Sequence, residues 1–153
     1  MQKIIPNLWF DGNAQEAVDF YVSVFKEAKI LNTFHYPTDE SMLLDFQKDL
    51  AGQPLSIEFL LFGQKFVAIN AGPEFTFNEA VSFLVECEDQ EEIDYYWENL
   101  TKNGGTESVC GWCKDKYGLS WQVCPKGMDK LIKNPQAYMN MMNMKKINIA
   151  NLI

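Results

Sequence analysis

An internal duplication constrains this chain more than any other feature, because a repeated segment implies the same local structure built twice. Ala14-Gln15-Glu16-Ala17-Val18-Asp19-Phe20-Tyr21 sets against Asp89-Gln90-Glu91-Glu92-Ile93-Asp94-Tyr95-Tyr96, offset by 75 residues. Gln, Glu, Asp and the final Tyr coincide, while Val/Ile and Phe/Tyr are near matches. The flanks agree too. A short apolar run precedes each segment, Ile4 to Phe10 and Val81 to Val85, and reads as a buried strand. Each segment opens with a capping pattern, Asn13 with Glu16 and Asp89 with Glu92. Apolar stripes at helical spacing follow: Ala14, Ala17, Val18, Tyr21 and Phe25 in the first, Ile93, Tyr96, Trp97 and Leu100 in the second. A repeat of this period marks a recurring supersecondary unit, here a strand, a helix and a run of strands.

Strands are expected after each helix. In the first half they are Lys29 to Tyr36, Leu55 to Phe62 and Lys65 to Ala71, with Gly63-Gln64 as a tight hairpin. In the second they are Glu107 to Cys113 and Leu119 to Cys124, joined by Lys114 to Gly118. Asn103-Gly104-Gly105 supplies the positive φ that ends the second helix. Pro37 to Gly52 is the longest irregular stretch and is read as a flap. Ala71-Gly72-Pro73 reads as the link between modules. In the tail, Asn134-Pro135 opens a third helix, with Pro where a missing N–H costs little. Met139, Met141, Met142 and Met144 crowd that helix and suit either a pliable interface or terminal core packing.

Composition excludes several classes. With 153 residues, 47% of them hydrophobic and 22% charged, the chain can bury an ordinary core rather than stay disordered. A net charge of −8 argues against nucleic acid, whose phosphates must be neutralised by Lys and Arg. No apolar run approaches the roughly 20 residues that cross a bilayer, so no membrane role is expected. The start, Met1 to Pro6, lacks the apolar stretch of a signal peptide, which points to a cytoplasmic protein. Four cysteines fit that setting as reduced thiols.

Several stretches are distinctive in combination: Leu8-Trp9-Phe10-Asp11-Gly12-Asn13-Ala14, Ala68-Ile69-Asn70-Ala71-Gly72-Pro73, Cys110-Gly111-Trp112 with Lys114-Asp115, and Gly118-Leu119-Ser120-Trp121-Gln122-Val123. Together they resemble the PhnB-like branch of the vicinal oxygen chelate (glyoxalase/bleomycin-resistance/dioxygenase) superfamily, a branch often named 3-demethylubiquinone-9 3-methyltransferase. The resemblance spans about Ile4 to Leu152 and implies an α+β fold: two βαβββ modules whose strands curl into a cup, commonly within a homodimer. The modules then cover about 3–73 and 78–125 of a single domain, with a helical tail over about 126–153. The second module shows one strand fewer than the family pattern, and the segment from Gly105 to Cys113 is where the missing strand is expected.

Catalytic members of the superfamily hold a divalent metal with His, Glu or Gln from two strands of each module. Carried over residue by residue, those places fall near Pro6 or Asn7, on Asn70, on Ala80 or Ser82, and on Gln122. Gln122 alone matches the family's ligand types, and the single histidine, His35, lies on a different strand. No family-type metal and no other cofactor are therefore expected, and metal-assisted chemistry goes with them. Cys110-Gly111-Trp112-Cys113 matches Cys-x-x-Cys, yet it precedes a hairpin turn rather than a helix. On a strand its two thiols point to opposite faces, so small buried thiols are expected instead. The methyltransferase name finds no support either. The chain contains no Gly-x-Gly, and its strands come in runs rather than alternating with helices as in a doubly wound sheet.

Strand alternation suggests which residues line the cup. On Lys65 to Ala71, Val67 and Ile69 are assigned to the helix side, leaving Phe66, Ala68 and Asn70 toward the cup. On the last strand Trp121 and Val123 take the helix side, and Ser120, Gln122 and Cys124 face inward. Ser82 and Leu84 face inward from the strand that opens the second module. Glu58 shares a face with Ser56 and Leu60, and is either a base or cation partner or a strand residue turned to solvent or an interface. Trp9 and Trp112 are candidate aromatic walls. The candidate ligand contacts are thus Trp9, Glu58, Phe66, Asn70, Ser82, Trp112 and Gln122, around a mixed apolar and amide-lined pocket for a small organic molecule. The alternative is an enzyme, either a divergent lyase or dioxygenase-like member or a methyltransferase. A scaffold that only dimerises through the Met-rich tail is a third possibility.

Overall fold

Past Pro6 the first apolar run forms strand β1, Asn7–Asp11, in which burial alternates and Leu8 and Phe10 are buried on one side. Every residue from 1 to 153 is described by the computed structural model of this chain. Helix α1 follows at Ala14–Val24, with the expected stripe of Ala14, Ala17, Val18 and Tyr21 buried. Strands β2 (Lys29–His35), β3 (Pro54–Leu61) and β4 (Gln64–Ala71) complete the unit. They assemble in the order β1-β4-β3-β2, with β1 parallel to β4 and the others antiparallel. Phe62 and Gly63 both have positive φ, so they form the two-residue hairpin between β3 and β4. The turn sits one residue earlier than the sequence suggested. The stretch between β2 and β3 contains two 3-10 turns, Glu40–Met42 and Asp45–Leu50.

The second unit repeats the order. Strand β5 spans Ser82–Cys87 and helix α2 spans Gln90–Thr101, capped by Asp89, whose carboxylate accepts the Glu92 N–H at 2.9 Å. Glu92 reaches back to the Glu88 N–H at 2.9 Å. The segment read as one strand from Glu107 to Cys113 is two, β6 (Thr106–Glu107) and β7 (Trp112–Lys114). A turn through Cys110 and Gly111, both at positive φ, separates them and supplies the strand missing from the family pattern. Strand β8 spans Ser120–Pro125, and the sheet order is β5-β8-β7-β6, with β5 parallel to β8. The tail adds helices α3 (Met128–Leu131) and α4 (Pro135–Met142). Asn134 caps α4, accepting the Gln136 N–H at 2.9 Å.

The chain divides into two compact units, Met1–Thr76 and Phe77–Ile153, so the tail belongs with the second module. In each unit one sheet face is roofed by its helix. Under α1, Tyr21 stacks on Phe59 and Phe59 on Phe66, with ring centroids 6.4 and 5.6 Å apart. Under α2, the strands contribute Val85, Cys87, Cys113, Trp121 and Val123, all buried. No helix is long and apolar enough to cross a membrane.

Candidate functional site

The sheet face opposite each helix is the one available to a ligand, and the structure corrects which residues reach it. On β4 the buried positions are Phe66, Ala68 and Asn70, while Val67 and Ile69 stand on the open face. The sequence reading was out of phase by one residue. Both alternating sets on this strand are apolar, so hydrophobicity alone does not distinguish its faces. Phe66 therefore packs in the aromatic core under α1. Asn70, 2% exposed, caps that helix from the sheet: its Oδ1 accepts the Ala14 N–H at 3.1 Å and its Nδ2 donates to the Pro54 carbonyl at 2.9 Å. Asn13, the expected cap, makes no side-chain hydrogen bond to the helix.

Trp9 and Glu58 do stand on the open face of the first sheet. The Trp9 indole N–H donates to the Gly72 carbonyl at 2.8 Å, and its ring meets Phe75 edge-on at 4.9 Å. Glu58 accepts from Asn32 Nδ2 at 3.1 Å and has Lys65 Nζ at 3.7 Å. Its carboxylate thus sits between an amide donor and an ammonium, the cation-partner arrangement among the sequence alternatives.

On the second sheet the predicted facing holds. Register places Trp112 opposite Gln122 and Leu84 beside it, with Ser82, Ser120 and Lys114 in the next row. Gln122 Nε2 donates to Ser82 Oγ at 2.9 Å, which fixes the amide's orientation. Trp112 and Gln122 line an open groove of about 480 Å³. The sequence reading missed its other wall, in which Met128, Met141 and Met142 come from α3 and α4 and Ile132 from the residue that ends α3. The Met-rich stripe was the available signal, and the structure shows part of it facing this groove.

Cys110 and Cys124 complete the lining, with Cys110 Sγ 3.4 Å from Met142 Sδ. Cys113 lies on β7 facing the helix, whereas Cys110 sits in the turn before that strand rather than on it as the sequence suggested, and all four thiols are free. Burial pushes the Cys113 and Cys87 thiols up to about 12, and Cys124 up to about 11. None of these three is a poised nucleophile.

The superfamily's metal does not fit these residues. Asn70 spends its side chain on a helix amide and a carbonyl, and Gln122 is tied to Ser82. No three His, Cys, Asp or Glu side chains gather where they would hold an ion. Methyl transfer finds no support in the topology. Two mixed four-stranded sheets are not the doubly wound parallel sheet whose first turn holds a nucleotide-like cofactor.

Comparison with known proteins agrees with this architecture. The model of the 3-demethylubiquinone-9 3-methyltransferase family matches residues 2–124. A Bacillus cereus structure bearing the name 3-demethylubiquinone-9 3-methyltransferase, PhnB protein, is 34% identical, with a TM-score of 0.68 over 80% of this chain and 98% of its own. A Pseudomonas aeruginosa protein at 18% identity shares the fold, with a TM-score of 0.61 over 82% of this chain and 98% of its own. So does FosX, a fosfomycin resistance protein of Listeria monocytogenes, at 13% identity and a TM-score of 0.53, over 84% and 94%. No curated protein sequence matches the chain.

Proposed function

The chain belongs to the PhnB-like 3-demethylubiquinone-9 3-methyltransferase family of the vicinal oxygen chelate superfamily, and from that premise we propose that it binds a small organic molecule without a metal. The observation that carries this reading is the groove of about 480 Å³ on the open face of the second sheet. Its volume is in the range of about 300–1,000 Å³ typical of small-molecule sites. An indole at Trp112 and thioethers from Met128, Met141 and Met142 favour a flat or flexible apolar body. Gln122, oriented by Ser82, offers the polar contact that sets a ligand's direction.

Tryptophan emission tests the reading, because Trp112 lines the groove. Titration with aromatic and quinone compounds is expected to quench emission saturably, with midpoints on the order of micromolar, about −8 kcal/mol. Trp112→Phe should keep the fold and lose most of the signal change. If no compound alters emission or thermal midpoint, the binding reading is wrong.

A further inference from the structure

The open face of the second sheet carries a second depression, of about 230 Å³, and the two share Trp112 and Ser108 as common walls. Its character is opposite to that of the sulfur-rich groove. Lys114, Ser120, Glu79 and Glu107 bring an ammonium, a hydroxyl and two carboxylates to it. Lys114 and Ser120 face each other across β7 and β8, so both belong to the open face.

Ser120 is 1% exposed, and its hydroxyl has no hydrogen-bond partner. A buried hydroxyl left unmatched is costly and rare, and calls for a physical reason. The ammonium of Lys114 is paired, but with Glu79, whose side chain is 62% exposed on the segment preceding β5. The hydrogen bond from Lys114 holds the Glu79 carboxyl below its usual range, as a carboxylate. Glu107 differs: its Oε1 accepts the Trp97 indole N–H at 2.7 Å, which ties it to α2. One carboxylate in this pocket is therefore anchored, and the other is an exposed group resting on the cation.

We propose that the ligand is an apolar or aromatic monocarboxylic acid. Its body lies in the groove against Trp112, and its carboxylate enters the smaller pocket to take Lys114 Nζ and Ser120 Oγ, displacing Glu79. This rests on the binding reading above and names the ligand's class. Glu79 is the internal stand-in for the ligand's head group, and its exposure makes it easy to displace into water. A monoanion fits because Lys114 is the one cation lining this pocket; a phosphate-like dianion would bring a second negative charge with no second cation to offset it.

Calorimetry at pH 7 and low salt, with three probes on one ring, tests the assignment: naphthalene-2-carboxylic acid, its neutral carboxamide and the corresponding phosphonic acid. The acid is expected to bind at least about tenfold tighter than the amide, the gain of one charge-assisted contact. Lys114→Met should remove that preference while leaving amide affinity in place. Glu79→Gln, at an exposed position that does not threaten folding, should strengthen acid binding several-fold, and Ser120→Ala should weaken it. Equal binding of acid and amide overturns the head-group assignment and leaves the groove reading standing. So does a preference that survives Lys114→Met, or a phosphonate that binds tighter than the acid. If none of the three probes binds, the groove reading itself fails and takes this inference with it.

Discussion

At Asn70 a single side chain joins helix α1 to two strands, accepting from Ala14 and donating to Pro54, while its own carbonyl accepts the Tyr36 hydroxyl at 2.6 Å. Replacing it with Ala strips the cap and leaves a buried carbonyl and amide unmatched. Asn70→Ala should cost about 1–3 kcal/mol in urea unfolding and leave ligand binding by the second unit unchanged. An asparagine that contacted ligand would show the reverse. The thiols give a second prediction. Burial raises Cys87 and Cys113 from an ordinary 9.0 to about 12 and Cys124 to about 11. A raised folded value means stability that is complete below about pH 9 and is lost as pH climbs through 11 to 12, because the unfolded chain gives up those protons first. Unfolding followed from pH 7 to 11 should therefore show a decline beginning near pH 9. At pH 8, Cys110 should be the one thiol that labels quickly in the native protein, being half-buried where the other three are buried. Labelling of Cys113 at the same rate would contradict its place under α2.

Among the elements, the tail departs most from a simple repeat, since the family model ends at residue 124. It is nevertheless built into the second unit. The Cys110 and Gly111 N–H groups both donate at 2.8 Å, to the Met144 and Lys145 carbonyls. Gln90 on α2 donates to the Ile147 carbonyl at 3.0 Å and accepts the Ile149 N–H at 2.9 Å. Ile147 is fully buried, and glycine at 111 is required there, because a Cβ would sit 3.1 Å from Ile147 Cγ1 and 2.9 Å from the Val123 carbonyl. Ile147→Ala should cost about 2–5 kcal/mol. Truncation after Pro125 should abolish binding of apolar probes, because Met128, Ile132, Met141 and Met142 leave with the tail. A truncated chain that still bound them would show that the tail is not a wall of the site. The sequence displayed this element as a Met stripe without showing what it faced. Helical spacing reveals a face, but only packing gives it a partner.

At the scale of the whole molecule, strand β2 is one edge of the first sheet, seven residues long and mostly exposed, with Phe34 at 55%. Met42 and Phe46 in the following turns are 70% and 72% exposed. Unpaired edge amides beside apolar side chains favour pairing with a second chain. Light scattering at micromolar concentration is expected to give twice the 17.6 kDa chain mass, and Phe34→Lys should shift it toward the monomer. A wild-type monomer would refute this. The order of strands and helices in the first module, both apolar stripes and the Asp89 cap were legible in the residues, because they follow from period and local hydrogen bonding within a few positions of one another. The facing of β4, the cap that Asn70 provides and the wall added by α3 and α4 were not. Each depends on which of two equally apolar faces meets a distant element, and no local pattern in the chain encodes that choice. The duplication determined the fold, twice over. Where the groove forms was decided by the tertiary structure, because the tail packs within the second unit and supplies one of its walls.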